Sequence, residues 1–214
     1  MFILSDQNSI ANQFIAELRD ENIQKDRWRF RNNLENLGEI LAYELSKSLP
    51  FEQVEVKSPL AKVSVPLLIN QPVIVAVLRA SLPFYQGFLN YFNQAESAFI
   101  GAFREESEVT DIKVNLGYRA APNLDGKEII IADPMLATGK SILKTIETLL
   151  SNGKPKKIHI AAIFAAPEGI QYLKAHLSIP CDYWIGSLED HLNAQSYIVP
   201  GLGDAGDLAF GPKL

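Results

Sequence analysis

An α/β architecture, with a mostly parallel central sheet flanked by helices, is predicted by two features of this sequence. Four short runs of β-branched and other apolar residues recur along the chain: VIVAVL at 73–78, AFIGAF at 98–103, EIIIA at 128–132 and KIHIAAIF at 157–164. They are nearly continuous, as strands covered on both faces are, rather than alternating as half-solvated strands do. Segments with helical spacing follow three of the four runs, at 82–91, 139–150 and 167–176, which is the βαβ rhythm of a parallel sheet.

Taken in order, residues 8–20 and 24–48 repeat apolar side chains at helical spacing, as in Leu34, Leu37, Leu41 and Leu45, and predict two N-terminal helices. The period changes over 51–68, where Val54, Val56, Val63 and Val65 alternate around Ser58-Pro59, so a hairpin is expected there, one that need not join the main sheet. Residues 104–124 carry Glu105, Glu106, Glu108 and Asp111 with no sustained period. This long excursion reads either as a solvated β-hairpin or as a cover over a functional site. A further strand at 182–185 completes the sheet. Beyond it the chain turns polar and glycine-rich through Gly201, Gly203, Gly206 and Gly211, and an irregular hood over the sheet edge is expected.

The chain has 214 residues, 47% of them hydrophobic, enough for one sizeable core, so residues 1–214 are read as a single domain. Its 20 basic and 25 acidic residues leave a formal charge of −5, a field that disfavours nucleic-acid partners and requires any anionic ligand to be held locally. No apolar run reaches membrane-spanning length, and the opening MFILSDQNSI lacks the basic flank and apolar stretch of a secretion signal, so a cytoplasmic location without membrane partners is expected. Cys181 is the sole cysteine, which excludes an internal disulfide and a thiolate metal cluster. His159, His176 and His191 show no metal-ligand spacing, and no metal-ligating residue is assigned. Trp28, Trp184 and Tyr197 are read as core or interface packing.

The chemistry concentrates in IIIADPMLATGKS at 129–141. A buried strand ends at Ala132, Asp133 follows at once, and Thr138-Gly139 leads into an amphipathic helix. Ligands of open α/β sheets sit beyond the carboxyl ends of the strands, and backbone N–H groups entering a helix form an anion nest. Residues 137–141 therefore suit a phosphate, with hydroxyls from Thr138 and Ser141, while Asp133 can accept hydrogen bonds from vicinal sugar hydroxyls. An ordinary strand-to-helix turn, with Asp133 satisfying local N–H groups and Ser141 capping the helix, fits the spacing equally. A nucleoside-triphosphate loop ending in Gly139-Lys140-Ser141 fits worse, because Pro134 stands where that motif needs its first glycine.

Together, VLRAS at 77–81, ADPMLATGKS at 132–141, AAPEGI at 165–170 and YIVPGLGDAGD at 197–207 resemble the uracil phosphoribosyltransferase family over most of the chain. The resemblance implies a type I phosphoribosyltransferase fold and transfer of ribose 5-phosphate from 5-phosphoribosyl 1-diphosphate to N1 of uracil, giving UMP and diphosphate. It implies Mg²⁺ held mainly through the donor's diphosphate, a homodimer or higher homo-oligomer, and GTP as an allosteric activator, as in some members. By matching position, it assigns the ribose and 5-phosphate to Asp133, Pro134, Met135, Leu136, Ala137, Thr138, Gly139, Lys140 and Ser141. Arg79 and Arg104 match basic contacts to the donor, Asp204 an acidic donor-site residue, and Ile198, Gly203, Asp204 and Ala205 the uracil-binding segment. On this reading Arg79, Arg104, Asp133 and Asp204 carry the transfer. Without the resemblance, half of a structural ion pair is the lesser of two readings for Arg79, while Arg104 reads equally as a surface partner of Glu105 or Glu106.

Three departures bear on activity: Lys140 replaces a second glycine, Ser81 replaces the glycine expected after Leu-Arg-Ala, and Leu208 replaces a basic residue. Val114-Asn115-Leu116-Gly117 also stands where the family has an aromatic residue followed by lysine. The alternatives left open are a weakly active or inactive member binding a phosphoribosyl compound as a regulator, and a transferase for another base.

Overall fold

The computed structural model describes residues 1–105 and 113–212, of which 102–105 and 113–117 are described by their backbone alone. The chain begins with β1 (Phe2–Ile3), α1 (Ala11–Arg19) and α2 (Arg27–Ser46), followed by the hairpin of β2 (Phe51–Lys57) and β3 (Lys62–Leu68). Then come β4 (Val73–Leu78), α3 (Leu82–Tyr91), β5 (Ser97–Glu105), β6 (Lys113–Ala120), β7 (Glu128–Ala132), β8 (Met135–Leu136) and α4 (Lys140–Leu149). The last part comprises β9 (Lys157–Ala165), α5 (Pro167–His176), β10 (Cys181–Leu188), the short strands β11 (His191–Leu192) and β12 (Ile198–Val199), and α6 (Ala205–Phe210).

Among the described residues the main sheet has the order β1-β10-β9-β7-β4-β5-β6, with β8 also paired to β9. Every pair is parallel except β5 with β6. The parallel strands bury both faces, and alternate residues feed two cores. Ile74, Ala76, Ile130 and Ala132 pack beneath α1, α2 and α3, while Val73, Val75, Ile129 and Ile131 pack against Ile142, Ile146 and Leu149 of α4. The predicted α/β class is thus the observed one.

Local signals account for most element ends. Asp26 accepts from Trp28 N at 3.0 Å and Arg29 N at 3.1 Å, so α2 starts at Arg27, after a single 3₁₀ turn at Ile23–Lys25. The hairpin of β2 and β3 forms its own two-stranded sheet, as expected. The excursion takes the hairpin form, with β6 returning antiparallel to β5. Residues 106–112 lie outside the described residues, and with them the tip of the expected cover. β1 is a difference from expectation, since a two-residue strand shows no period. The hood differs too: it holds the β11–β12 pair and a six-residue helix, α6, which starts where Asp204 Oδ1 accepts from Asp207 N at 2.9 Å.

At the amino ends of the strands, opposite the loop at 133–139, His159 is fully buried. Trp184 Nε1 donates to its Nδ1 at 3.2 Å, so Nε2 carries the proton and faces Glu128 Oε2 at 2.8 Å. Burial pushes this imidazole below its ordinary value, and Glu128 pulls it only partly back. The unfolded chain therefore takes up the proton first. Stability is fully present above about pH 6.5 and is lost as pH falls through the lower folded value. We predict that the melting temperature declines between pH 7 and pH 5, and that His159→Gln, with a lower baseline, shows a shallower decline in the same calorimetric series. Burial likewise drives the Cys181 thiol up to about 12, leaving it protonated and unreactive. Among the described residues no helix is long and apolar enough to cross a membrane.

Candidate active site

A cleft of about 470 Å³ opens at the carboxyl ends of β4 and β7. Three segments distant in sequence form its walls: Val77 and Leu78 at the end of β4 with Arg79 and Ala80 after it; Asp133 through Ile142 in part; and Ser196 through Ile198 with Gly203 through Gly206.

The loop after β7 is fixed at both ends. Asp133 N donates to Ala161 O at 3.1 Å, and the carbonyl of buried Pro134 accepts from Ile163 N at 3.1 Å and Phe164 N at 3.0 Å. Asp133 Oδ1 also accepts from Met135 N at 3.2 Å. The local role that sequence left open for Asp133 is thus real, and it coexists with a place in the cleft wall. Gly139 is the N-cap of α4, with φ of 76°, and a Cβ there would lie 2.7 Å from Gly169 O of α5. Thr138 Oγ1 accepts from Lys140 N at 3.4 Å. Ser141 lines the cleft and does not cap the helix.

Met135, Leu136, Ala137, Thr138, Gly139 and Ser141 all reach the wall. Pro134 and Lys140 do not. Pro134 is spent on anchoring the loop to β9. Lys140 begins α4 with an ordinary negative φ, so the left-handed conformation falls on Gly139 and not on the lysine. Ser81 likewise has φ of −72° and ψ of −19° at the entry of α3 and needs no glycine freedom. Leu208 packs against the core from α6.

Arg79 directly follows β4, through a cis Leu78–Arg79 peptide. Its Nη2 donates to Asp207 Oδ1 at 3.1 Å and Gly211 O at 3.4 Å. The arginine is therefore both an ion-pair member and a cleft residue. With side chains 41% and 39% exposed, the pair contributes on the order of 0–1 kcal/mol, so a multiply charged ligand can displace it. Arg104 lies on β5 opposite Val114 of β6, and its side chain falls outside the described residues. The side chains of Val114, Asn115 and Leu116 do as well.

Ile198, Gly203, Asp204 and Ala205 form the facing wall. Val199–Pro200 is cis, and the chain doubles back so that Gly201, at φ of 53°, would place a Cβ 2.3 Å from Ile198 O. Tyr197 also lines the cleft and is 46% exposed, which the packing role expected of it did not foresee. Trp28 is 69% exposed and so not core, whereas Trp184 packs against Phe2 with the rings tilted by 40° and their centres 5.6 Å apart. Asp207, Gly206, Ile142 and Ser196 were not among the site residues expected from sequence. Asp207 and Gly206 sit inside YIVPGLGDAGD, so the motif marked their neighbourhood without marking their function.

Among the described residues no cluster of three His, Cys, Asp or Glu side chains is arranged to hold a metal. Asp133 and Asp204, both in the cleft wall, are oxygen donors of the kind a hard cation takes when most of its ligands are phosphates and water. The architecture can hold an anion at the entry to α4, a sugar near Asp133 and a flat molecule against backbone of the 198–205 segment.

Similarity to known proteins agrees with this geometry. The family model described as uracil phosphoribosyltransferase matches residues 4–212. A uracil phosphoribosyltransferase of Porphyromonas gingivalis is 42% identical over 211 residues, covering 99% of this chain and 98% of that protein. The structure of the AQ2163 protein from Aquifex aeolicus superposes with a TM-score of 0.86 at 28% identity, covering 98% of each chain. A purine phosphoribosyltransferase structure from Pyrococcus horikoshii, at 18% identity and a TM-score of 0.51 over 74% of this chain and 84% of that one, shares the fold alone. This chain belongs to the uracil phosphoribosyltransferase family.

Proposed function

We propose that this protein forms UMP and diphosphate from uracil and 5-phosphoribosyl 1-diphosphate. The observation that carries this reading is the convergence, in one cleft, of the loop from Asp133 to Ser141, the arginine after β4, and the segment around Ile198 and Gly203–Ala205. The bond from C1′ of the ribose to the diphosphate oxygen breaks as N1 of uracil bonds to that carbon, and the N1 proton passes to solvent. No protein nucleophile is needed, because the sugar carbon acquires oxocarbenium character and the chain's task is to hold and align.

The amides entering α4, with Thr138 and Ser141, hold the 5-phosphate, and Asp133 accepts from the ribose hydroxyls. Arg79, exchanging Asp207 for the ligand, holds the departing diphosphate, with Arg104 as its companion from β5. Backbone groups of Ile198 and Gly203–Ala205 read the edge of uracil. An amino group in place of a carbonyl would leave one of them unpaired, at a cost of roughly 1–3 kcal/mol. Asp133 and Asp204 are the residues that would stand by Mg²⁺ brought with the donor, and the ion would supply positive charge against the leaving group.

The test is a radiolabelled-uracil assay with Mg²⁺, run with and without GTP. UMP formed by the unmodified protein is the expected result, and a GTP-dependent rise would extend the reading to regulation. If the folded protein binds the donor without forming UMP, the reading gives way to another acceptor base or a regulatory binding role.

The working unit we propose is residues 1–214 as one domain, in a cytoplasmic homo-oligomer. The β2–β3 hairpin supports the last point: Phe51, Val63 and Leu67 on the two-stranded sheet, Leu60 in its turn and Ile69 just after β3 are each more than 40% exposed. Such a sheet is marginal alone in water and gains from a second copy of the chain. Replacing Leu60, Val63 and Leu67 by serine is expected to shift the protein to monomer in sedimentation analysis. An unchanged sedimentation coefficient would remove the hairpin from the interface.

A further inference from the structure

The segment assigned to uracil is held from behind by a charge pair, a buried glutamate with a partly exposed arginine, that none of the motifs includes. Glu189 directly follows β10 and is 4% exposed. Arg19, at the end of α1, grips it with two parallel bonds, Nη1 to Oε2 at 2.5 Å and Nη2 to Oε1 at 2.6 Å, and Nη2 also donates to Ser187 Oγ at 2.9 Å. The guanidinium lies 4.7 Å from the centre of the Phe164 ring. Phe164 N in turn donates to Pro134 O, so the residue whose ring the guanidinium covers also anchors the loop after β7.

Glu189 also reaches forward, its Oε2 accepting from Gly201 N at 2.9 Å in a fully buried bond. Gly201 closes the turn that begins at Ile198 of the cleft wall. Backbone nearby follows the same course, with Glu189 N donating to Ala165 O at 2.8 Å and Asp190 N to Val199 O at 3.0 Å. Burial pushes the Glu189 carboxyl up, but the hydrogen bonds from Arg19, Gly201 N–H and Ser187, with the charge of Arg19, outweigh it and leave it below the usual carboxylate range. The carboxylate is therefore charged at neutral pH.

We propose that Glu189, held by Arg19, is a positioning residue that fixes the Ile198–Gly201 turn and thereby sets the affinity for the base and not for the phosphoribosyl donor. This rests on the reading of that segment as the uracil site. A backbone reader needs such a support, because its donors and acceptors cannot adjust by rotating a side chain, and an error of a few tenths of an ångström is passed directly to the ligand. The charged pair suits the purpose better than an apolar contact, since a bidentate guanidinium–carboxylate pair specifies orientation as well as distance.

Two variants separate positioning from plain stability. Glu189→Gln keeps an acceptor for Gly201 but sets an amide donor against Arg19. The double variant Arg19→Met with Glu189→Met replaces both charges by apolar side chains, so that no unpaired charge is left behind, and removes the acceptor of the buried Gly201 N–H, at a cost in stability that a melting curve reads separately. In the double variant we expect the KM for uracil to rise about tenfold, the effect of losing one well-made buried bond, with kcat and the donor KM within about twofold of the unmodified protein. Glu189→Gln should shift the uracil KM in the same direction by less. Hydrogen exchange at the Gly201 amide should accelerate in the double variant, a readout that needs no turnover. Parallel rises in both KM values, or unchanged exchange at Gly201, would overturn the proposal. Absence of UMP formation by the unmodified protein would bring down the uracil reading instead, and Gly201 exchange would then decide whether the clamp holds the turn.

Discussion

Asp133→Asn is expected to lower UMP formation by about a hundredfold or more while leaving the fold in place. A carboxylate beside the ribose can accept from both vicinal hydroxyls, and hydrogen bonds to a charged acceptor contribute roughly 1.5–3 kcal/mol each. Asparagine keeps one acceptor oxygen and turns the other position into a donor, so one such bond is lost and a second weakened. Removing the negative charge also withdraws stabilisation from a sugar carbon that becomes positive in the transition state. Together these reach about 3 kcal/mol, or somewhat more than a hundredfold in rate. The fold is spared because the remaining oxygen can still accept from Met135 N, the bond Asp133 makes at 3.2 Å, and the backbone bond from Asp133 N to Ala161 O does not involve the side chain. The measurements are radiolabelled-uracil turnover, calorimetric affinity for the donor with Mg²⁺, and melting temperature. Turnover and donor affinity both within about threefold of the unmodified protein would remove Asp133 from ribose recognition.

How far the sequence discloses this site depends on distance along the chain. The parallel strands were legible because burial on both faces leaves an unbroken apolar run, and VIVAVL and EIIIA match β4 and β7 residue for residue. The loop at 133–141 was legible for the same reason, since strand, acidic residue and helix entry adjoin. β1 and α6 were not, one having two residues and the other lying among glycines that conceal six helical positions. Pairs that bridge the chain were beyond reach in principle. Arg19 and Glu189 stand 170 positions apart, and Arg79 and Asp207 stand 128 apart, so no local period connects them. The resemblance marked the segments that line the cleft, but it could not say that Pro134 and Lys140 stand outside the wall or that Asp207 is Arg79's partner. It also left open which residue of Thr138-Gly139-Lys140 bears the unusual backbone angle, because two glycines in the family pattern can share that role and this chain has one.

Adjacent substitutions in that loop should therefore behave oppositely. Gly139→Ala is expected to reduce turnover by about a hundredfold or more, and Lys140→Gly to leave it within about threefold. At Gly139 the φ of 76° lies where a side chain costs roughly 1–3 kcal/mol. The added Cβ would meet Gly169 O at 2.7 Å, and that oxygen belongs to the backbone of α5 and cannot swing aside. Either α4 backs away from α5 or the loop leaves its conformation. Both move the amides that would receive the 5-phosphate, and a displacement of about 1 Å suffices for a hundredfold loss. Lys140 is already helical and outside the cleft wall, so removing its side chain clears no obstruction, and glycine in the first turn of α4 costs at most about 1 kcal/mol of stability. Because alanine adds one uncharged carbon, its effect cannot be ascribed to lost charge, and donor KM should rise more than uracil KM. The same assay and a melting curve on both variants decide the matter. Recovery of activity on Lys140→Gly, with Gly139→Ala unaffected, would place the strained angle and the obstruction at the lysine.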